Sequence, residues 1–124
     1  MNFKDYQKKA STTAVYPHPD IDEKYTNYYF NDELIDAGKI VPIMYCALGL
    51  AGESGEVAEQ VKKSWRNNMK VTDERRTKIK DELGDVLWYA AQLATELDLN
   101  LDDIAENNIA KLAARKQEGK LKHG

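Results

Sequence analysis

The sequence predicts an all-α fold, an antiparallel bundle of four to five helices. Apolar residues recur at helical spacing in several segments, short polar or proline-containing breaks separate these segments, and no segment shows the alternation typical of a β-strand. With 124 residues the chain can build one hydrophobic core but has too little volume for a second. We therefore expect a single domain over residues 1–124.

The first predicted helix covers residues 3–14, where four apolar residues lie at helical spacing: Phe3, Tyr6, Ala10 and Ala14. It cannot continue through Pro17, because proline lacks the backbone N–H that a helix needs. A polar, tyrosine-rich insert follows, with only a short turn expected around residues 31–37. The N-terminal helix and the insert together are assigned to residues 1–41.

Three further helices are predicted within residues 42–115, and a lysine-rich tail follows over 116–124. Pro42 suits the first residue of the second helix, which should run to about Trp65 with an apolar stripe of Met44, Leu48, Ala51, Ala58 and Val61. Thr72 suits the N-cap of the third helix, whose stripe we expect to be buried: Ile79, Leu83, Val86, Leu87, Ala90, Leu93, Ala94 and Leu97. The fourth helix should begin near Asn100.

Charge and composition exclude several classes of function. A formal net charge of −3 provides no broad basic surface, so duplex nucleic acid is not expected as the main partner. The single cysteine, Cys46, has apolar neighbours typical of a buried structural residue. No secretory leader opens the sequence, and no apolar run approaches the roughly 20 residues of a membrane span. We expect a cytoplasmic protein with no membrane partner.

Two pairs of acids stand out because apolar and small residues surround them. Glu53 and Glu56 lie three apart, and after twenty-five residues Glu82 and Asp85 repeat that spacing. Residues three apart share one face of a helix, so an antiparallel pair of helices would bring four carboxylates together. Exposed acids at this spacing repel by only about 0.2–0.5 kcal/mol and are common, so either pair alone carries no function.

The setting of these acids favours a metal site. Gly49 lies on the stripe of Glu53 at a cost of about 1 kcal/mol in helix propensity, which indicates close approach of another helix or a ligand. Oxygen ligands select hard cations, and the histidines, His18 and His123, lie in a loop and in the tail. We therefore predict Mg²⁺, with Mn²⁺ as a substitute, and a phosphorylated ligand, because Mg²⁺ usually shares its ligands with phosphates.

Two further groups have a functional and a structural interpretation. Asn108, Lys111 and Arg115 share one face of the fourth helix, where they either contact a polyphosphate or stabilise the helix dipole. Tyr89 lies one turn beyond Asp85 and could stack on a nucleobase, although aromatic residues at helical spacing more often belong to a core or an interface.

The motifs "LGLAGESGEVAEQVKK", "KDELGDVLWYAAQLA" and "NIAKLAAR" together resemble the MazG-like nucleoside triphosphate pyrophosphohydrolases of the all-α NTP pyrophosphatase superfamily, including short members found in phages. The resemblance covers roughly residues 45–115. It implies Mg²⁺-dependent hydrolysis of (deoxy)nucleoside triphosphates to monophosphate and pyrophosphate, removal of unwanted nucleotides, and a homodimer or homotetramer. A phage-encoded member would act in the host cytoplasm.

The resemblance also implies roles for individual residues. The metal ligands would be the four acids, Glu53, Glu56, Glu82 and Asp85, and the triphosphate contacts would be Asn108, Lys111 and Arg115. Glu53 is also our candidate for the base that accepts a proton from the attacking water. Two other hypotheses stay open at this point: a helical interaction module without enzymatic activity, and another Mg²⁺-dependent phosphohydrolase such as a nucleotide diphosphatase.

Overall fold

A computed structural model describes residues 1–16, 27–30 and 33–120. These residues form four helices, α1 (Phe3–Ser11), α2 (Ala37–Arg66), α3 (Asp73–Glu96) and α4 (Leu101–Gln117). Two short strands, β1 (Asn27–Phe30) and β2 (Glu33–Asp36), lie between α1 and α2. The predicted all-α class is confirmed.

Helix α1 is shorter than predicted and ends at Ser11 rather than near residue 14. The two threonines that follow fold back on the helix: the hydroxyl of Thr12 donates to the carbonyl of Lys9, and that of Thr13 to the carbonyl of Ala10. Such local side-chain bonds compete with the helical backbone pattern and end the helix early.

The hairpin corrects the expectation that the chain contains no strand. β1 and β2 pair antiparallel, with Asn27 opposite Asp36 and Phe30 opposite Glu33. Strands of four residues are too short to show a clear alternation, which is why the periodicity analysis missed them. The sequence features that indicate a hairpin here are the aromatic residues of β1 and the two-residue connection between the strands.

Helix α2 begins at Ala37, so Pro42 lies inside the helix and is not its first residue as predicted. Proline removes one donor but leaves φ helical, so an early position in a long helix is tolerated. The predicted end is confirmed, because α2 stops at Arg66. Asn68 and Met69 then take positive φ values of 56° and 62°, which turn the chain toward α3.

The beginnings of α3 and α4 follow the capping signals in the sequence. The Thr72 hydroxyl accepts a hydrogen bond from the backbone N–H of Arg75 at 3.1 Å. The Asn100 side chain accepts one from the backbone N–H of Asp102 at 2.8 Å. Both bonds satisfy donors that a helix start otherwise leaves unpaired.

Two packing arrangements build the described part of the chain. Helix α2 lies antiparallel along α3, and α1 packs across α3 and α4. The buried residues of the second arrangement are Ala10, Ala91 and Leu101, with Tyr6 and Trp88 against them. Gln7 binds α1 to the start of α4, since its side chain accepts from the N–H of Leu101 and donates to the carbonyl of Leu99. Among the described helices none is long and apolar enough to cross a membrane.

The apolar stripe of α2 is exposed in the single chain. Leu48 is 70% exposed, and the other stripe residues, Met44, Ala51, Ala58 and Val61, are exposed as well. The face that packs on α3 carries Cys46, Gly49 and Ser64 instead. On α3, Leu83 and Leu97 are also exposed, whereas Ala94 is buried as expected. Small residues therefore lie where α2 meets α3, beside the ring contact of Tyr45 with Tyr89.

Candidate functional site

The seam between α2 and α3 is the contact line on which the predicted acids meet. Gly49 contacts Tyr89 at one end of this seam. Glu53 faces Glu82 and Asp85 in the middle, and Gln60 accepts a hydrogen bond from the guanidinium of Arg75 toward the other end. Residue numbers rise on α2 as they fall on α3, which is the antiparallel arrangement that the acid spacing required.

Three carboxylates converge in the middle of the seam. One oxygen from each of Glu53, Glu82 and Asp85 lies within 4.8 Å of the other two. Burial raises the pKa of the Glu53 carboxyl, and the nearby charges of Asp85 and Glu82 raise it further. The cluster therefore holds negative charge at close range and lacks a compensating cation within the group itself.

Glu56, the fourth predicted ligand, is exposed and lies outside this group of three. Its charge nevertheless contributes to the raised pKa of Glu53, which places its carboxylate within electrostatic range. Glu56 lies three residues after Glu53 on the same helix, so the two side chains share one helix face.

The cluster fits a hard divalent cation by its donor set. All three groups offer carboxylate oxygens, which suit Mg²⁺ or Mn²⁺, and convergence of like charges is the situation that a bound cation stabilises. Glu53 and Glu82 are half-buried and Asp85 is exposed, so the group opens to solvent on one side. A cation held here would have room for water and for a ligand's own oxygen atoms.

An aromatic cluster borders the carboxylates at the Gly49 end. It consists of Tyr16, Tyr45, Trp88 and Tyr89, and Tyr89 lies close enough to Glu53 for that charge to help raise the pKa of its hydroxyl, after burial as the main cause. The structure thus places Tyr89 beside the carboxylates as the sequence suggested. Tyr16 reaches this cluster from the segment that follows α1.

Gln92 is a residue of this region that was not predicted from the sequence. It is 1% exposed, and its Oε1 accepts a hydrogen bond from the Tyr16 hydroxyl at 2.9 Å. The available signal was a polar amide within the apolar run of α3, between Ala91 and Leu93. Cys46 lies nearby and is fully buried, as its sequence setting indicated.

The predicted triphosphate contacts lie elsewhere in the single chain. Asn108, Lys111 and Arg115 are exposed on α4, which packs on α1. The two predicted loop and tail histidines, His18 and His123, lie outside the described residues. The carboxylates and the aromatic cluster are therefore the parts of the predicted site that one chain brings together.

Comparison with known proteins gives two matches. A family model described as "MazG nucleotide pyrophosphohydrolase domain" matches residues 45–119, which include the seam and all of α4. The chain is also similar to the "Gene 37 protein" of Mycobacterium phage L5, with 40% identity over 115 residues, which cover 92% of this chain and 88% of that protein. No solved structure matches the chain.

Proposed function

The chain belongs to the family of MazG nucleotide pyrophosphohydrolase domains, and we propose on this premise that it hydrolyses (deoxy)nucleoside triphosphates to nucleoside monophosphate and pyrophosphate with Mg²⁺ as cofactor. The observation that carries the proposal is the convergence of Glu53, Glu82 and Asp85 within 4.8 Å. Their oxygen ligands suit Mg²⁺, and Mn²⁺ should substitute for it. The biological role we propose is removal of non-standard or surplus nucleotides.

All four acids are proposed as ligands of the cation, and Glu53 has a second proposed role. Glu82 and Asp85 on α3, with Glu53 and Glu56 on α2, would hold the cation. When bound, it supplies charge neutralisation and polarises phosphoryl oxygens. Glu53 is the proposed general base, because it lies within the carboxylate group and a carboxylate can accept the proton of an attacking water.

The remaining phosphate contacts are proposed to come from α4. Asn108, Lys111 and Arg115 are exposed and lie on one face of the helix. Their amide, ammonium and guanidinium groups are accessible and could bind a polyphosphate. In the single chain this helix packs on α1 and not on the seam. We therefore propose that assembly of two or more chains brings a set of these residues to each carboxylate group.

The exposed apolar stripe on α2 supports self-assembly into a homodimer or homotetramer. Leu48 and Trp65 are 70% and 69% exposed, and Met44 and Val61 lie on the same helix with more than half of their surface open. Patches of this kind on a soluble domain usually mark an interface. Sedimentation of the protein should give twice or four times the monomer mass, and Leu48→Lys should shift it toward the monomer.

The activity can be tested with a panel of canonical and modified nucleoside triphosphates. Phosphorus NMR should show nucleoside monophosphate and pyrophosphate with Mg²⁺, and no product in the presence of a chelator. Asp85→Asn should lower kcat by at least about 100-fold, because transition-state stabilisation by a cation amounts to several kcal/mol. Asp81→Asn is the matched control, since Asp81 is an exposed acid on the same helix outside the carboxylate group.

The products distinguish the competing functions. Release of orthophosphate from nucleoside diphosphates would identify a diphosphatase. Absence of any product, together with absence of a Mg²⁺ effect on stability, would identify an interaction module and reject the enzymatic proposal.

A further inference from the structure

Gln92 leaves a buried hydrogen-bond donor without an acceptor. Its side chain is 1% exposed, its Oε1 is bonded to the Tyr16 hydroxyl, and its Nε2 has no partner among the described residues. A buried polar group without a partner lowers the stability of the folded protein. Such a group calls for an explanation, and a ligand atom that accepts the bond is one.

Tyr16, the hydrogen-bond partner of the Gln92 amide, belongs to a cluster of four aromatic rings. The ring of Tyr16 lies 5.6 Å from that of Tyr45 and 6.4 Å from that of Trp88, and Tyr89 closes the circle at 6.3 Å from Tyr45 and 5.0 Å from Trp88. Each adjacent pair is tilted or edge-on. Flat π-systems of this kind provide stacking surfaces for a nucleobase, to which an amide adds direction and selectivity.

The position along α3 relates this region to the carboxylates. Asp85, Tyr89 and Gln92 follow one another at spacings of four and three residues, so they lie on one helix face. At a rise of 1.5 Å per residue, Gln92 is about 10 Å along the axis from Asp85. An extended nucleotide with its phosphates at the carboxylates would carry its base to this level.

We propose that Gln92 determines base specificity by donating a hydrogen bond from Nε2 to a carbonyl oxygen of the nucleobase. This inference rests on the proposed function, because it assigns the other end of the same substrate. Bases with an oxygen at C4 of a pyrimidine or at C6 of a purine, such as uracil, thymine, guanine and hypoxanthine, would be preferred. Adenine and cytosine present an amino group at the equivalent position, so two donors would face each other.

Tyr16 fixes the direction of this selectivity. Its hydroxyl donates to Oε1 of Gln92 and so orients the amide, which leaves Nε2 as the atom without a partner that can meet a base. Tyr45 is the most exposed of the four rings at 37%, so we place the entrance for the base at this ring. The base then stacks beside Tyr89, next to the carboxylates.

The test measures a ratio and not a rate. Two matched substrate pairs, ITP against ATP and dUTP against dCTP, are hydrolysed in direct competition, so that the ratio of kcat/KM does not depend on how much protein is folded. The wild type should favour ITP over ATP and dUTP over dCTP by at least about 10-fold, since a site with a buried donor discriminates strongly against a mismatched group. Gln92→Met, which keeps the side-chain length and removes the donor, should bring both ratios close to one.

Gln7→Met is the matched control, because Gln7 also bonds through its amide but joins α1 to α3 and α4. It should reduce stability and leave both ratios unchanged. Gln92→Asn is a second variant that keeps the amide but withdraws it by one methylene, and it should also lower the ratios.

The inference would be overturned by a wild-type ratio near one, or by an unchanged ratio in both Gln92 variants. The second result would make Gln92 a structural residue only. Failure to hydrolyse any triphosphate would reject the proposed function instead. Competitive binding of ITP and ATP then tests Gln92 separately, with the same ratios expected for affinity.

Discussion

The ring of Tyr89 lies directly on Gly49, so that a Cβ atom at Gly49 would stand 2.6 Å from Cδ1 of Tyr89. This contact sets how closely α2 approaches α3 one turn before Glu53. The glycine is therefore required by the packing of the two helices and not by a turn or an unusual backbone angle.

We predict that Gly49→Ala separates the helices or displaces Tyr89. Overpacking of this kind typically costs 1–3 kcal/mol, so the free energy of unfolding should fall by about that amount, and the stabilisation by Mg²⁺ should shrink with it. Chemical denaturation with and without Mg²⁺ measures both effects.

Gly55→Ala is the matched control on the same helix. A Cβ at Gly55 would meet nothing within 4 Å, so the substitution should stabilise the helix by about 0.5–1 kcal/mol. Equal effects of the two substitutions would show that the Gly49 contact does not set the helix separation.

The acids could be predicted from the sequence, whereas the face they occupy could not. Glu53, Glu82 and Asp85 were identifiable because a spacing of three residues fixes a shared helix face whatever surrounds it. The spacing of the acids does not specify which way the apolar stripe of α2 faces. In the structure the carboxylates lie in the middle of the seam, and Leu48 is exposed.

Other features lacked a local signal. The hairpin of β1 and β2 is shorter than a period analysis can detect. The bond between Tyr16 and Gln92 joins residues 76 positions apart, and no pattern in a single sequence specifies such a pair. Capping was predictable at Thr72 and Asn100, because the side chain bonds to the backbone only a few residues away.

The raised pKa of Glu53 predicts a pH effect on stability in the absence of metal. The pKa in the folded protein lies above the ordinary value of 4.5, so the folded state binds the proton more tightly than the unfolded state. Stability therefore falls as the pH rises through the interval between the two values. Above this pH interval, Glu53 is charged in the folded protein, and the unfavourable burial and charge repulsion reduce stability in full.

Glu53→Gln should remove this effect. In a chelator at neutral pH the variant is expected to be more stable than the wild type, and the difference should disappear below the ordinary pKa of the carboxyl. Denaturant titrations over a pH series would measure it. A variant that is less stable than the wild type at neutral pH would contradict the account of charge and burial at Glu53.

Lys111 is predicted to contact the triphosphate and Lys116 is not. A hydrogen bond to a charged group contributes about 1.5–3 kcal/mol, so Lys111→Ala should raise KM by about 10- to 100-fold. Lys116 lies on a different face of α4 and is equally exposed, so Lys116→Ala should leave KM within about two-fold. Steady-state kinetics at saturating Mg²⁺ would compare the two, and equal KM values would remove Lys111 from the site.

Metal binding by the carboxylates is tested most directly by calorimetric titration of Mn²⁺ into the nucleotide-free protein, with Mg²⁺ as competitor. The wild type should bind Mn²⁺, Asp85→Asn and Glu56→Gln should bind it at least about 10-fold more weakly, and Asp81→Asn should match the wild type. Unchanged Mn²⁺ affinity in Asp85→Asn, with its helical circular dichroism intact, would contradict the assignment of this cluster as the metal site.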